Sequence, residues 1–348
     1  MHLNPATNIS PVTATGRPIR WGVIATGSIA QRVVHDLALL QDAVLHAVSS
    51  RSEASARDFA QNFGFTSSYW DSAEGTGIER LLADPEVEIV YIATPHVQHH
   101  AAALAALTAG KHVLCEKPLT MDAAQARELA ELAQARGLFL MEAVWTRFLP
   151  SFRRAVEIVR GGEIGQPRWI QADLGFAPAF DPGARIWDPA AGGGALLDLA
   201  IYPLTWALAM LGEPSGMAAS GTLTPDGIDL QNSLSLAYDG GAHAQLTTSI
   251  GAECPSIVSV AGTEGWLQSA APLFNPAELI IQPRQGTLRK ETFEVVGNGF
   301  SYELREVTRC LQAGLTESPF MTVKESVDMM ELLDEARRQM KVRYPSDP

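Results

Sequence analysis

Apolar residues first recur in short runs. Residues 19–24 read IRWGVI, 43–50 AVLHAVSS, 86–94 EVEIVYIAT, 112–116 HVLCE and 139–144 FLMEAV. Runs of this length, rich in β-branched residues, predict buried strands. Between them the period lengthens to that of a helix. The helical stretches are Ala30 to Leu40, SEASARDFAQNFG closed by Gly64, AAALAALTAG after His100, and DAAQARELAELAQARG from Asp122. Asp122 and Gln125 have the spacing of a capping box. Strand and helix in alternation predict an α/β Rossmann-type domain with a mostly parallel sheet over residues 18–143.

After residue 144 the rhythm changes. One helix, FRRAVEIVRGGEIG, is followed by strand candidates joined by turns: PRWIQADLGF, GMAASGTLT, DLQNSLSLAYDGG, AHAQLTTSI, SIVSVAGTEGWLQ, AELIIQP and RKETFEVV. Several alternate polar and apolar residues, as strands with one wet face do. Two helices close the chain, ELREVTRCLQAG and one opening at TVKE. The expectation for residues 144–348 is an α+β domain with a large open, mostly antiparallel sheet. Its last helix is placed to pack back on the first domain. Residues 1–17 read as a flexible arm. One face of such a sheet takes helices. The other wants a cover, and a second copy in a homodimer or homotetramer is the expected one.

Composition narrows the class. Of 348 residues, 46% are hydrophobic and 19% charged, which suits a globular enzyme or binding protein. The net charge of -13 argues against nucleic acid or an anionic membrane as partner. Three widely spaced cysteines form neither a disulfide framework nor a zinc pattern, so a reducing, cytoplasmic setting is expected and no metal. The first twenty residues lack the apolar core of a signal peptide. No stretch of about 20 apolar residues suggests a membrane span.

The first strand runs into GVIATGSIA, residues 22–30. A dinucleotide turn needs a tight bend, bare backbone beside the pyrophosphate, and a small residue where helix meets strand. Ala25, Gly27 and Ala30 stand at those offsets, with alanine in place of the first glycine. Ala25, Thr26, Gly27, Ser28 and Ile29 are the candidate phosphate contacts. At the end of the second strand an acid would hold a ribose hydroxyl, and an arginine a 2′-phosphate. Ser50 and Arg51 stand there, and no acid precedes Glu53. NADP is therefore favoured over NAD; the alternative reads Arg51 as a solvated residue at a helix start.

The fourth strand ends in CEKPLT, residues 115–120. Lys117 thus falls at the carboxyl edge of the sheet, where parallel sheets bind ligands. With the glycine turn, ATP at 93–95, AGKHVLCEKPLT at 109–120 and the antiparallel second half, the chain resembles the Gfo/Idh/MocA oxidoreductases. The resemblance covers almost everything after Pro18. It implies that Lys117 lies beside nicotinamide and substrate, that a cis proline often follows, and that Thr94, Pro95, His99 and Glu116 skirt the cofactor.

The second half of the signature is GGGALLDLAIY, residues 192–202. Many members carry a histidine four positions after the aspartate. Here Asp198 is followed by Tyr202, which is similar to the dihydrodiol dehydrogenase and NADP-dependent D-xylose dehydrogenase branch. In that branch a tyrosine transfers the proton. Asp198 and Tyr202 are i and i+4, on one helix face. The resemblance implies an NADP-dependent dehydrogenase. Tyr202 exchanges a proton with a hydroxyl, Lys117 lowers the tyrosine's pKa, and Asp198 binds a second hydroxyl. The expected substrate is a sugar, cyclic polyol or trans-dihydrodiol. Trp145, Arg147, Arg185 and Trp187 are candidate substrate contacts. His96, His99 and His100 lack the companions of a metal site. Two alternatives stand beside this reading: transient oxidation of a glycoside by a permanently held cofactor, and a non-catalytic NADPH sensor.

Overall fold

The computed structural model describes residues 10–347; residues 1–9 of the expected arm lie outside them. The first domain is built from β1 (Ile19–Ile24), α1 (Ser28–Leu37), β2 (Ala43–Ser50), α2 (Glu53–Phe63), β3 (Ser67–Trp70), α3 (Gly77–Leu82), β4 (Ile89–Ile92), α4 (His99–Thr108), β5 (His112–Glu116), α5 (Ala123–Arg136) and β6 (Leu140–Ala143). Its strands form one parallel sheet in the order β3-β2-β1-β4-β5-β6. The central strands β1, β4 and β5 are almost wholly buried, which explains their unbroken apolar runs.

The sheet has six strands where the hydrophobic pattern gave five. The missing one, β3, is a half-buried edge strand reading SSYW, so it offers neither an apolar run nor an alternation. The helix caps show why the elements start where they do. Ser52 accepts from the Ser55 amide at 3.1 Å and opens α2. Asp122 accepts from the Gln125 amide at 2.8 Å, while the Gln125 side chain turns to the Met121 amide. Only half of the expected capping box therefore forms there.

The second domain contains α6 (Pro150–Arg160), β7 (Pro167–Gly175), α7 (Ile201–Leu211), β8 (Gly216–Leu223), β9 (Asp229–Ala237), β10 (His243–Ser249), β11 (Val258–Gly262), β12 (Gly265–Ser269), β13 (Glu278–Pro283), β14 (Arg289–Thr292), α8 (Ser301–Gln312) and α9 (Val323–Met340). Eight strands lie in the order β14-β13-β12-β11-β7-β10-β9-β8. All pairs are antiparallel except the central β7/β10 pair. Along β9 and β10 buried and exposed residues alternate, so one face meets the core and the other is open. At TVKE, Thr322 and Glu325 complete a reciprocal capping box at the start of α9.

One sequence expectation needs correction. Pro189–Leu211 forms a helical segment long and apolar enough to cross a membrane by length and composition. Its lone Asp198 obscures the run in the sequence. Most of the segment is buried within the protein. Trp206, for instance, is fully buried, donates to the Leu273 carbonyl at 3.0 Å and meets Phe152 edge-on.

The two domains are tied by buried carboxylates. Asp36 at the end of α1 accepts from the amides of Asn298, Phe300 and Ser301, and so caps the entry to α8 from across the boundary. Asp42 takes both terminal nitrogens of Arg305 on α8, at 2.6 and 2.9 Å. Thr15 donates to Asp42 at 2.8 Å and Pro11 accepts from Arg305 at 2.7 Å, which binds residues 11–15 to the same network. From the other end of the chain, α9 reaches α5: Asp334 accepts from the Ala123 amide at 2.9 Å, and Arg337 donates to the Met121 carbonyl at 2.9 Å.

Glu142 on β6 is 1% exposed and accepts from the Leu119 amide at 3.0 Å. Among the described residues its other oxygen has no partner. Burial raises its pKa to about 7, against the Leu119 amide and the Arg147 and Lys117 cations. A carboxyl raised in the fold stabilises below its unfolded pKa, and that contribution is lost as pH climbs to the folded value. Glu142→Gln removes the loss. Relative to wild type, its unfolding free energy is expected to gain about 2 kcal/mol between pH 5 and pH 8. Denaturant titrations at the two pH values measure this; an equal difference at both would refute the assignment.

Candidate active site

The carboxyl ends of β1, β2, β4 and β5 converge beside the entry to α7. At the end of β1, Ala25 has φ 85°, in the left-handed region that glycine favours. The turn therefore keeps the glycine conformation although the side chain is alanine, and carries the strain of it. Gly27 precedes α1 as its N-cap, and no side chain caps that helix. A Cβ on Gly27 would meet nothing within 4 Å. Uncapped amides at an open helix start suit an anionic phosphate. Thr26 donates to Ser50 at 3.3 Å and links the turn to the end of β2. Arg51 is exposed just beyond, while Glu53 pairs with Arg57 at 2.7 Å. Thr94, at the end of β4, carries a buried hydroxyl without a partner among the described residues, and Pro95 beside it is exposed. These features fit a dinucleotide lying across the sheet edge.

Lys117 follows β5 directly, and its peptide bond to Pro118 is cis. Its ammonium donates to the backbone carbonyl of Asp198 at 2.8 Å and to Asp198 Oδ1 at 3.2 Å. It also lies 5.1 Å from the centroid of the Tyr202 ring. Asp198 sits in a widened π-turn, Leu196–Ala200, that runs into α7. Such turns often mark functional positions. Pro203 has no N–H to continue a regular ladder back to Leu199. Despite the wider turn, Asp198 and Tyr202 both meet Lys117, as their spacing predicts.

Arg185 donates to Asp198 Oδ1 at 2.8 Å from the loop before the glycine triplet. That loop can lie flat because Gly193 has no side chain: a Cβ would stand 2.6 Å from the Arg185 carbonyl and 2.7 Å from that of Ile186. Burial works against the charge on Asp198, but Lys117 and Arg185 hold its pKa well below the ordinary carboxylate range. Burial likewise disfavours the Lys117 cation, and Asp198 with Tyr202 more than restores it. For Tyr202 the balance differs from the sequence expectation. Burial raises its pKa, and the lowering by Lys117 does not overcome it. The phenol is therefore protonated at neutral pH.

Other predicted residues fall in several places. Glu116 accepts from Tyr91 at 2.6 Å and is nearly buried; burial raises its pKa against Tyr91 and Lys117. His99 is fully buried, with Nδ1 2.8 Å from the Pro118 carbonyl and Nε2 2.9 Å from that of Thr94. It sits between two site loops. Burial depresses its pKa to about 4, so at neutral pH it donates through one nitrogen only. Trp145 lies in the site: its Nε1 donates to Tyr202 Oη at 3.4 Å and its ring stacks on Phe300 at 4.4 Å. Arg147 points elsewhere and donates to Glu325 at 2.6 Å. Trp187 donates to the Ala179 carbonyl of its own loop at 3.2 Å.

Three contributors escaped the sequence reading. Phe274 lies 5.4 Å from the Tyr202 ring, and Phe300 backs Trp145; both come from loops with no motif. His96 reaches Arg185, with Nε2 3.3 Å from Nη1. Its place two residues beyond Thr94, at the carboxyl edge of the sheet, was the available signal. No cluster of three or more His, Cys, Asp or Glu among the described residues is arranged for a metal.

Comparisons with known proteins agree with this geometry. Residues 19–144 match the family described as an oxidoreductase family with an NAD-binding Rossmann fold, and residues 152–268 match the GFO/IDH/MocA C-terminal domain. The chain is 37% identical to trans-1,2-dihydrobenzene-1,2-diol dehydrogenase of Bos taurus, over 94% of this chain and 99% of that protein. For the Homo sapiens protein of that name the identity is 35%, with the same coverage. Among solved structures, the 3-ketoreductase KijD10 of Actinomadura kijaniata, in complex with NADP and TDP-benzene, has a TM-score of 0.83 at 28% identity, covering 93% of this chain and 98% of that one. Aldose-aldose oxidoreductase of Caulobacter crescentus shares the fold, with a TM-score of 0.83 at 24% identity over 93% of this chain and 98% of that one. With both domains matched and the lysine loop, aspartate and tyrosine brought together, the chain belongs to the GFO/IDH/MocA family of NAD(P)-binding oxidoreductases.

Proposed function

We propose that the protein is an NADP-dependent oxidoreductase that interconverts a carbinol and a carbonyl on a sugar, cyclic polyol or trans-dihydrodiol. One observation carries the reading: a single part-buried cation, Lys117, faces both Asp198 and Tyr202 beside the dinucleotide edge of the sheet. Residues Ala25 to Ile29 would hold the pyrophosphate, Ser50 and Arg51 the 2′-phosphate, and Thr94, Pro95 and Glu116 the nicotinamide half. The bound cofactor supplies hydride exchange, and the protein supplies position and field. Tyr202, protonated at neutral pH, is a ready proton donor for carbonyl reduction. That donation leaves a phenolate, which the Lys117 cation favours, and oxidation runs the step in reverse, with the phenolate taking the hydroxyl proton.

Asp198 supports a diol or polyol. Its Oδ1 receives Lys117 and Arg185, while Oδ2 has no partner among the described residues and is not fully buried. That oxygen is the acceptor for a second hydroxyl. Trp145 and Phe274 wall the Tyr202 side and suit the apolar face of a ring. The name shared by the curated relatives points toward a cyclic diol, and the NADP in the KijD10 complex supports the cofactor preference.

Tyr202→Phe is expected to lower kcat by about 10²–10⁴-fold and leave NADPH affinity nearly unchanged. The assay follows nicotinamide absorbance with D-xylose, D-glucose, myo-inositol and trans-1,2-dihydrobenzene-1,2-diol. Wild-type kcat in the variant would sink the proton-transfer role.

Arg51→Asp should reduce the NADP-over-NAD preference about 10–100-fold, the loss of a charged hydrogen bond to phosphate. Binding titrations with both cofactors measure the ratio. An unchanged ratio removes Arg51 from the 2′-phosphate site.

The open face of the second sheet carries Trp169 and Trp266, 39% and 36% exposed, in one cross-strand row with Ala261 between them. A second copy of this chain is the proposed cover. Light scattering after size exclusion should give a dimer or tetramer, and Trp169→Glu with Trp266→Glu should give a monomer. A monomeric wild type rules this face out as a stable interface.

A further inference from the structure

His96 has no role in the chemistry above, yet it is 5% exposed and sits between both halves of the site. Its Nδ1 lies 3.3 Å from the Gly192 carbonyl and its Nε2 lies 3.3 Å from Arg185 Nη1. A carbonyl only accepts and a guanidinium only donates. The contacts therefore assign one tautomer: Nδ1 carries the proton and Nε2 accepts from Arg185. Burial, aided by Arg185, lowers the imidazole pKa well below its ordinary value, which agrees with a neutral ring.

The guanidinium fork of Arg185 is thereby divided. Nη2 goes to Asp198 Oδ1 at 2.8 Å, and Nη1 goes to His96. An arginine beside a carboxylate otherwise favours two parallel bonds, one to each oxygen. In that arrangement Arg185 would occupy Asp198 Oδ2 as well. Lys117 already binds Oδ1 at 3.2 Å, so both oxygens would then be taken.

We propose that His96 is a positioning residue that holds one arm of Arg185 away from Asp198, and so keeps Asp198 Oδ2 open for a substrate hydroxyl. This rests on the reading of Asp198 as a hydroxyl acceptor. His96 tunes substrate affinity through Arg185 without touching the reacting carbon. Any side chain at 96 with a well-placed acceptor serves the purpose, whereas an apolar one releases the fork onto the carboxylate.

The test compares wild type, His96→Ala, His96→Asn, Arg185→Lys and the double variant His96→Ala/Arg185→Lys. The probes are D-xylose and trans-1,2-dihydrobenzene-1,2-diol. In His96→Ala, KM is expected to rise about 10-fold or more, with kcat and NADPH affinity within about 3-fold of wild type. His96→Asn should restore KM. In the Arg185→Lys background, His96→Ala should add no further change, because an ammonium cannot make the two-armed bond. Crystal structures of wild type and His96→Ala give a readout independent of turnover: in the variant both Arg185 nitrogens should contact Asp198. An Arg185 that stays singly bonded in the variant, or a KM that does not move, overturns the proposal. So does an equal loss in His96→Asn, or a further loss in the lysine background. If wild type turns over neither probe, the proposed activity fails, and the crystal structures alone still decide where His96 holds Arg185.

Discussion

The structure depends on an ion pair between two domains. Lys117 is delivered by the turn after β5 of the dinucleotide sheet, and Asp198 by the π-turn that opens α7. Neither charge is tolerable alone at this depth, since desolvation costs several kcal/mol per ion. Each is made acceptable by the other, by Arg185, and by the Asp198 backbone carbonyl. The pair therefore defines where the domains must meet. The other cross-boundary contacts, Asp36 on the entry to α8 and Asp42 on Arg305, hold the register that this meeting requires.

Behind the pair, the loop carrying Lys117 is fixed from three sides. His99 lies between the Pro118 and Thr94 carbonyls and donates to one of them, Glu142 takes the Leu119 amide, and Tyr91 anchors Glu116. These groups are buried and polar, an expensive way to build a loop support. They hold the Lys117 loop in one arrangement against Asp198. The same burial that confines the cation keeps Tyr202 protonated. Lys117 and Tyr202 are thus set in opposed states, one charged and one neutral.

Most of the fold was legible because its central strands are unbroken apolar runs and several helices, among them α2, α5 and α9, are capped by short polar residues. The edge strand β3 was not, because SSYW is half-exposed and resembles a loop. The residues with motif signatures, Lys117, Asp198 and Tyr202, lie together in the structure. Arg185 also met them, although its loop has no regular pattern. Residues supplied by tertiary contact alone stayed hidden: Phe274 and Phe300 come from segments far from the motifs, and His96 was considered only with His99 and His100, as lacking the companions of a metal site. Arg147 illustrates the reverse case, since its neighbourhood near Trp145 suggested the site while its side chain turned to α9. Likewise, the expected depression of the Tyr202 pKa considered charge and left out burial, which is the larger effect.

The single parallel pair in the second sheet has a temporal consequence. β7 is flanked by β10 on one side and β11 on the other, though β8 and β9 precede both along the chain. Its two sides can be satisfied only after residue 262 has been made. Until residue 243 the strand bearing Trp169 has no partner from its own sheet, while the hairpin of β8 and β9 can already close locally. The first strand of this sheet to be made is thus not the first to be paired, and the order of synthesis differs from the order of assembly.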